Sequence, residues 1–260
     1  MRLVMIDGSG GSLSGEGLGQ KEEDRLIAGA MTDIADNVMR STLSPMGALI
    51  DAQTSHLRKR GMDKKPYGTT AIVDIHADGS FDLLTAGDVT VMAWNGRDFR
   101  ERLHMTMPLP QFTPDISSRF ALLNPISNQA FALGSQGLGA PTIVLGEHNL
   151  ANRITMSIGG EEMIENSKIF AKTRKPGEQY YPDAKFLLIA TDGAQMFGRL
   201  MRNESDMSVF VDDQLSRLDR GEAGVSTSSV ATEIAGFARN RLGDTDDISV
   251  MVVDMRAFGG

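Results

Sequence analysis

The chain has 260 residues, of which 41% are hydrophobic and 23% charged. That is enough for one large core or two small ones and too apolar for a disordered chain. A net charge of −8 argues against a nucleic-acid surface, and the lack of cysteine removes disulfides, thiolate ligands and a thiol nucleophile.

No apolar run approaches the roughly 18 residues of a membrane span. The start, MRLVMIDGSGG, lacks the form of a signal peptide. A soluble cytoplasmic protein with no membrane partner is expected.

In chain order, the apolar run Leu3 to Ile6 reads as a buried strand, and a glycine loop over 8–19 follows it. From Lys21 to Arg40, apolar residues fall at 26, 27, 30, 31, 34, 35, 38 and 39. This spacing predicts an amphipathic helix, opened by the acidic KEED. Met31 and Met39 are expected in its core stripe. Ser44 and Pro45 read as the N-cap and first turn of a second helix, closed by Gly61. His56 in that helix is expected to be solvated.

The texture then changes to strands. ADGS at 77–80 predicts a hairpin between AIVDIH and FDLLTA, with His76 at an exposed strand end. AGD marks a turn before VTVMAWNG. Residues 97–150 are weakly patterned and read as loops and short strands. KFLLIATDG is a buried strand ending in Asp and Gly. STSSVATEIAGFARNRLG is a capped helix, and DISVMVVDM is a closing strand.

Three apolar strands thus carry aspartate at a tip: Asp7, Asp192 and the pair Asp246 and Asp247. A fourth, Asp88, sits in a turn between strands. Hard divalent cations take oxygen ligands, and glycine after Asp7 and Asp192 allows close backbone approach. Any one Asp-Gly pair is more often a turn than a ligand. Together, with strands feeding three of them, they favour a metal site. Other chemistries fare worse. The glycine loop has neither G-x-G-x-x-G nor G-K-[ST], no G-x-S-x-G elbow occurs, and the four histidines show no metal-pair spacing.

VMIDGSGGSLSGEG resembles the DG-x-GG…GE segment of the metal-dependent protein phosphatases, the protein phosphatase 2C or PPM family. YGTTAIVDI, LLTAGDVTVMAW, NRITMSIGG, FLLIATDG and GDTDDISVMVV recur in that family's order. The likeness runs from residue 3 to about 255, which implies a single domain over 1–260.

It implies an α+β fold, a four-layer α-β-β-α sandwich of two packed antiparallel sheets flanked by helix pairs, with the first strand or strands missing. By resemblance, Asp7 bridges two Mg²⁺ or Mn²⁺ ions, Gly8 offers its carbonyl, and Asp192 and Asp246 complete the centre. Asp88, with Asp192, matches the ligands of a third, weaker ion. Asp247 stands where the family usually has Asn. The implied reaction is hydrolysis of a phosphomonoester by a metal-activated water, with no catalytic side-chain nucleophile.

The family also carries an acidic pair and a phosphate-holding arginine upstream of the DG strand, which this sequence does not show. Ser9 stands where eukaryotic members have a histidine, and GDVT replaces the usual GDSR. Two functions follow. One is a Ser/Thr phosphoprotein phosphatase acting on a phosphoprotein in a Ser/Thr kinase pathway, of low activity in this form. The other is an inactive pseudophosphatase that binds a phosphoprotein or regulates a kinase pathway. The four retained acids favour the first, and the absent pair favours the second. A plain scaffold with no site ranks below both.

Overall fold

A computed structural model of the chain describes residues 1–8, 17, 19–60, 62, 67–86, 89–94, 96, 120–122, 158–159, 171–172, 184–194, 205–241 and 247–258. In chain order these form β1 (Arg2–Gly8), α1 (Gln20–Arg40), α2 (Pro45–His56), β2 (Gly68–Ile75), β3 (Phe81–Ala86) and β4 (Thr90–Trp94). There follow β5 (Phe120–Leu122), β6 (Ala171–Lys172), β7 (Phe186–Ala190), α3 (Ser205–Asp219), α4 (Thr227–Arg241) and β8 (Val250–Asp254). The fold is α+β, with two antiparallel sheets, each backed by a helix pair. The chain divides into two compact units, Met1–Val89 with Ile154–Tyr180, and Thr90–Arg153 with Tyr181–Gly260.

In the first unit the sheet order is β1-β2-β3-β6. α1 forms where the periodicity predicts it, with Glu22 and Glu23 in its first turn and Arg40 in its last, complementing the helix dipole. α2 opens as expected: Ser44 Oγ accepts from the Gly47 amide at 3.3 Å and Pro45 occupies the first turn. It ends at His56, short of Gly61, which lies outside the described residues.

Ile27, Ala30, Met31, Ile34 and Val38 of α1 pack with Ala48, Leu49 and Ala52 of α2 against Ile72 and Leu84. Each fully buried Ile or Leu contributes about 1.5–3 kcal/mol by leaving water. The stripe is narrower than its sequence suggests. Leu26 and Met39 are 45% and 48% exposed, so Met39 is not in the core. An α-helix packed on one sheet buries an arc too narrow to hold both edges of the apolar set.

The ADGS hairpin is present. The His76 amide donates to Ser80 O at 2.7 Å, Asp78 Oδ1 accepts from the Ser80 amide at 3.0 Å, and Gly79 takes φ 77°. His76 is exposed and lies 3.2 Å from Asp82. His56 departs from the solvated reading: it is half-buried, with Nε2 3.2 Å from Asn37 Nδ2.

Arg2 ties the ends of three elements together. Its guanidinium donates to both carboxylate oxygens of Asp74, at 2.6 and 2.5 Å. It also donates to the carbonyls of Val38 and Ser41, both at 3.0 Å, and of Leu43 at 2.6 Å. It thereby satisfies carbonyls at the C-terminal end of α1 that have no helical partner.

In the second unit the order is β5-β4-β7-β8. All five residues of β7 are buried, as its unbroken apolar run predicts for a strand with neighbours on both edges. β4 follows β3 closely in sequence but pairs with β5 and β7, so the AGD segment joins strands of different sheets and does not close a hairpin. Met207, Val211 and Leu215 of α3 and Val230, Ile234 and Ala238 of α4 form the helix side of this core. Trp94 lies 5.5 Å from Phe186 between ring centroids and donates from Nε1 to Asp212 Oδ1 at 2.9 Å.

α4 is capped reciprocally: Ser226 Oγ accepts from the Ser229 amide at 3.1 Å, and Ser229 Oγ accepts from the Ser226 amide at 2.8 Å. Among the described residues no helix is long and apolar enough to cross a membrane.

Candidate metal centre

Asp7 is the penultimate residue of β1, paired in register with Thr69, and Gly8 pairs with Gly68. The strand forms because Leu3 to Ile6 are apolar on both faces. Val4 and Ile6 join the helix-side core, and Met5 is buried on the other face. Side chains alternate along a strand. Gly8 therefore shares the helix side with Val4 and Ile6, and Asp7 shares the opposite face with Met5 and Thr69. Asp7 is half-buried and Gly8 is exposed.

The backbone here is tightly held. A Cβ on Gly68 would stand 2.4 Å from Asp7 O and 2.8 Å from Met31 Sδ, so only glycine fits. Ile158 closes the adjoining position: its amide donates to Gly68 O at 2.7 Å, and its carbonyl accepts from the Tyr67 amide at 2.9 Å. Gln53 Oε1 accepts from the Gly159 amide at 2.9 Å. The SIGG segment thus joins β2 and α2 beside the β1 end.

Thr69, directly across from Asp7, is 2% exposed, and its Oγ1 has no hydrogen-bond partner. A buried hydroxyl without a partner is costly, and cross-strand neighbours have Cβ atoms about 5 Å apart. Sequence reasoning missed Thr69, because a threonine in a β-branched strand carries no signal of its own. The Asp7 carboxylate, the Gly8 carbonyl and this hydroxyl make an all-oxygen donor set. That chemistry suits a hard divalent cation.

Asp192 opens a 3-10 turn, Asp192–Ala194, immediately after β7. Thr191 before it is buried. Its hydroxyl accepts from the Ser249 amide at 2.9 Å and donates to Asp247 O at 3.1 Å, and its own amide donates to Ser249 O at 3.0 Å. The antiparallel pairing of β7 with β8 sets Ala190 opposite Val250. The chain segments carrying Asp192 and Asp247 therefore meet at one end of that sheet. Asp88, Asp246 and the Asp192 side chain lie outside the described residues. Among the described residues no group of three or more His, Asp or Glu gathers as a metal centre.

A cleft of about 530 Å³ lies between α1 and α2, lined by Asp33, Asp36, Asn37, Asp51 and His56. It is at the Arg2 end of β1, since Ser41 lines it and Arg2 donates to Ser41 O. The Asp7 end is the other one.

No family model matches this sequence, and no curated protein matches it by sequence. Solved structures do match the fold. The PPM Ser-Thr phosphatase MsPP from Mycobacterium smegmatis, solved in complex with cacodylate, superposes with a TM-score of 0.54 at 13% identity, covering 97% of this chain and 87% of that one. The catalytic domain of the serine/threonine protein phosphatase PstP, solved with two manganese ions, gives 0.50 at 14% identity, covering 97% and 86%. At such identities the likeness is one of fold. Two antiparallel sheets, each backed by a helix pair, joined in this order over nearly the whole chain, give this protein the fold of the PPM Ser/Thr phosphatases.

Proposed function

We propose that the protein is a metal-dependent phosphatase that hydrolyses Ser/Thr phosphomonoesters of a phosphoprotein. Asp7, Gly8, Asp88, Asp192 and Asp246 would hold Mg²⁺ or Mn²⁺. The observation that carries this reading is the end of β1, where Asp7, exposed Gly8 and the unpartnered Thr69 hydroxyl stand together in a phosphatase fold. When bound, the ions supply an activated water and offset charge on the phosphoryl oxygens.

The chain's own residues do the positioning. Gly68 and Ile158 fix the backbone that carries Asp7 and Gly8. Thr191 fixes the backbone just before Asp192 against the segment just after Asp246. A carboxylate held by ladder hydrogen bonds on a rigid strand loses little entropy when it takes a ligand, and precise placement is worth large rate factors.

Hydrolysis of a chromogenic phosphate monoester tests the proposal. Turnover should require Mn²⁺ or Mg²⁺, stop with chelator and fall at least 100-fold in Asp7→Asn. Turnover that survives chelator would sink it.

One observation favours the second reading, a binding module without catalysis. Arg2, the one arginine on β1, is committed to Asp74 and three carbonyls and has no donors left for a phosphate. Phosphopeptide binding without metal-dependent turnover would select that reading.

A further inference from the structure

α1 buries Glu23, Ile27, Ala30, Met31, Ile34 and Val38 along one stripe. Five are apolar. Glu23 is 2% exposed and carries a carboxylate. With Gly19 as N-cap, Glu23 holds the fourth helical position, where a hydrophobic staple places an apolar side chain. Complementing the helix dipole does not explain its burial, because exposed Glu22 in the same turn does that without leaving water. A carboxylate in a core stripe lowers stability relative to an apolar residue of the same shape. Glu23 therefore asks for a functional reason.

Its place supplies one. Arg2 at the start of β1 holds the carbonyls of Val38 and Ser41, at the C-terminal end of α1. Ile27 Cγ2 lies 3.4 Å from a Cβ built on Gly8, at the end of β1. α1 thus runs antiparallel to β1. Glu23 sits one helical turn, about 6 Å, beyond Ile27 on the same face, past Gly8 at the acid-bearing end of the sheet. Asp7 occupies the opposite face, so Glu23 acts through its field and not as a ligand.

We propose that Glu23 is a positioning residue of the Asp7 and Gly8 metal site, a buried negative charge on the helix side that strengthens divalent cation binding there. The inference rests on the metal reading given above. In a partly desolvated setting, a unit charge about 10 Å from a divalent cation shifts its affinity by roughly tenfold.

The experiment is calorimetric Mn²⁺ titration of the full chain, with the melting temperature of each metal-free variant. In Glu23→Gln, of the same shape and no charge, Kd should rise about tenfold with melting little changed. In Glu23→Leu, metal-free melting should rise while Mn²⁺ binding weakens by at least as much. That opposition is one a purely structural residue does not produce.

Wild-type binding that is lost in Asp7→Asn but unchanged in both Glu23 variants overturns this inference and leaves the metal reading standing. A wild type that binds no Mn²⁺, or binds it as well in Asp7→Asn, overturns both. Failure of both Glu23 variants to fold makes the residue structural and overturns the inference.

Discussion

Gly68 stands against the backbone carbonyl of Asp7 so closely that a single added carbon would lie 2.4 Å from that oxygen. The same carbon would meet Met31 Sδ at 2.8 Å. The sulfur sits on a flexible side chain, whereas the carbonyl belongs to a strand locked in register over seven pairs. Gly68→Ala should therefore push β1 and β2 apart at the Asp7 end and cost about 1–3 kcal/mol. Urea denaturation measures the loss. The melting-temperature rise on adding Mn²⁺ should shrink in the same variant, because the displaced carbonyl belongs to Asp7.

Thr191→Val tests the other acid-bearing end. Valine keeps the volume and removes the hydroxyl that serves the Ser249 amide and Asp247 O. The expected cost is about 1–3 kcal/mol for orphaned backbone groups. Stability and the Mn²⁺ response should both fall. A Mn²⁺ response at wild-type size would separate this hydroxyl from the site.

Arg2→Ala removes one side chain from five hydrogen bonds. Its side chain is 10% exposed and that of Asp74 19%. Loss of one partner leaves the other charge poorly solvated, so about 3 kcal/mol is expected. The double variant with Asp74→Ala should cost less than the sum of the singles, which a double-mutant cycle in urea reads out. KM for a phosphate ester should not change, because Arg2 has no donors left for substrate.

Acid should expose the contribution of Asp254. The Arg256 guanidinium, hydrogen-bonded to it at 2.8 and 2.6 Å, holds this carboxyl below its ordinary range, against a smaller opposing effect of burial. A carboxyl that releases its proton more readily when folded stabilises the fold above its unfolded pKa. That contribution is lost as the pH falls through the folded value. Melting temperature should drop on acidification from about pH 5 to pH 3, and less steeply in Asp254→Asn. The group is largely exposed, so the difference should also shrink at high salt.

Several features were legible in the sequence because they depend on neighbours a few residues apart. The periodicity over 21–40 gave α1, Ser44 with Pro45 gave the start of α2, ADGS gave the β2–β3 hairpin, and the unbroken run before Asp192 gave β7. The ordered set of Asp-bearing segments pointed to the phosphatase fold. α3 was also legible from Met207, Val211, Leu215 and Leu218, but buried Asp212 and Gln214 break its apolar face, and the reading passed over it. What licenses a carboxylate at 212 is Trp94, 118 residues away, and no local pattern carries that.

Tertiary structure alone decided the long-range matters. It paired β4 with β7 rather than β3, spent Arg2 on α1 and Asp74, and left Thr69 unpartnered opposite Asp7. It also put Glu23 at the acid-bearing end of the first sheet. The physical reason is the same in each case. Propensity, capping and periodicity act within a turn or two of chain. A hydrogen-bond partner, a desolvated charge or a missing Cβ is set by whichever distant strand or helix arrives beside it.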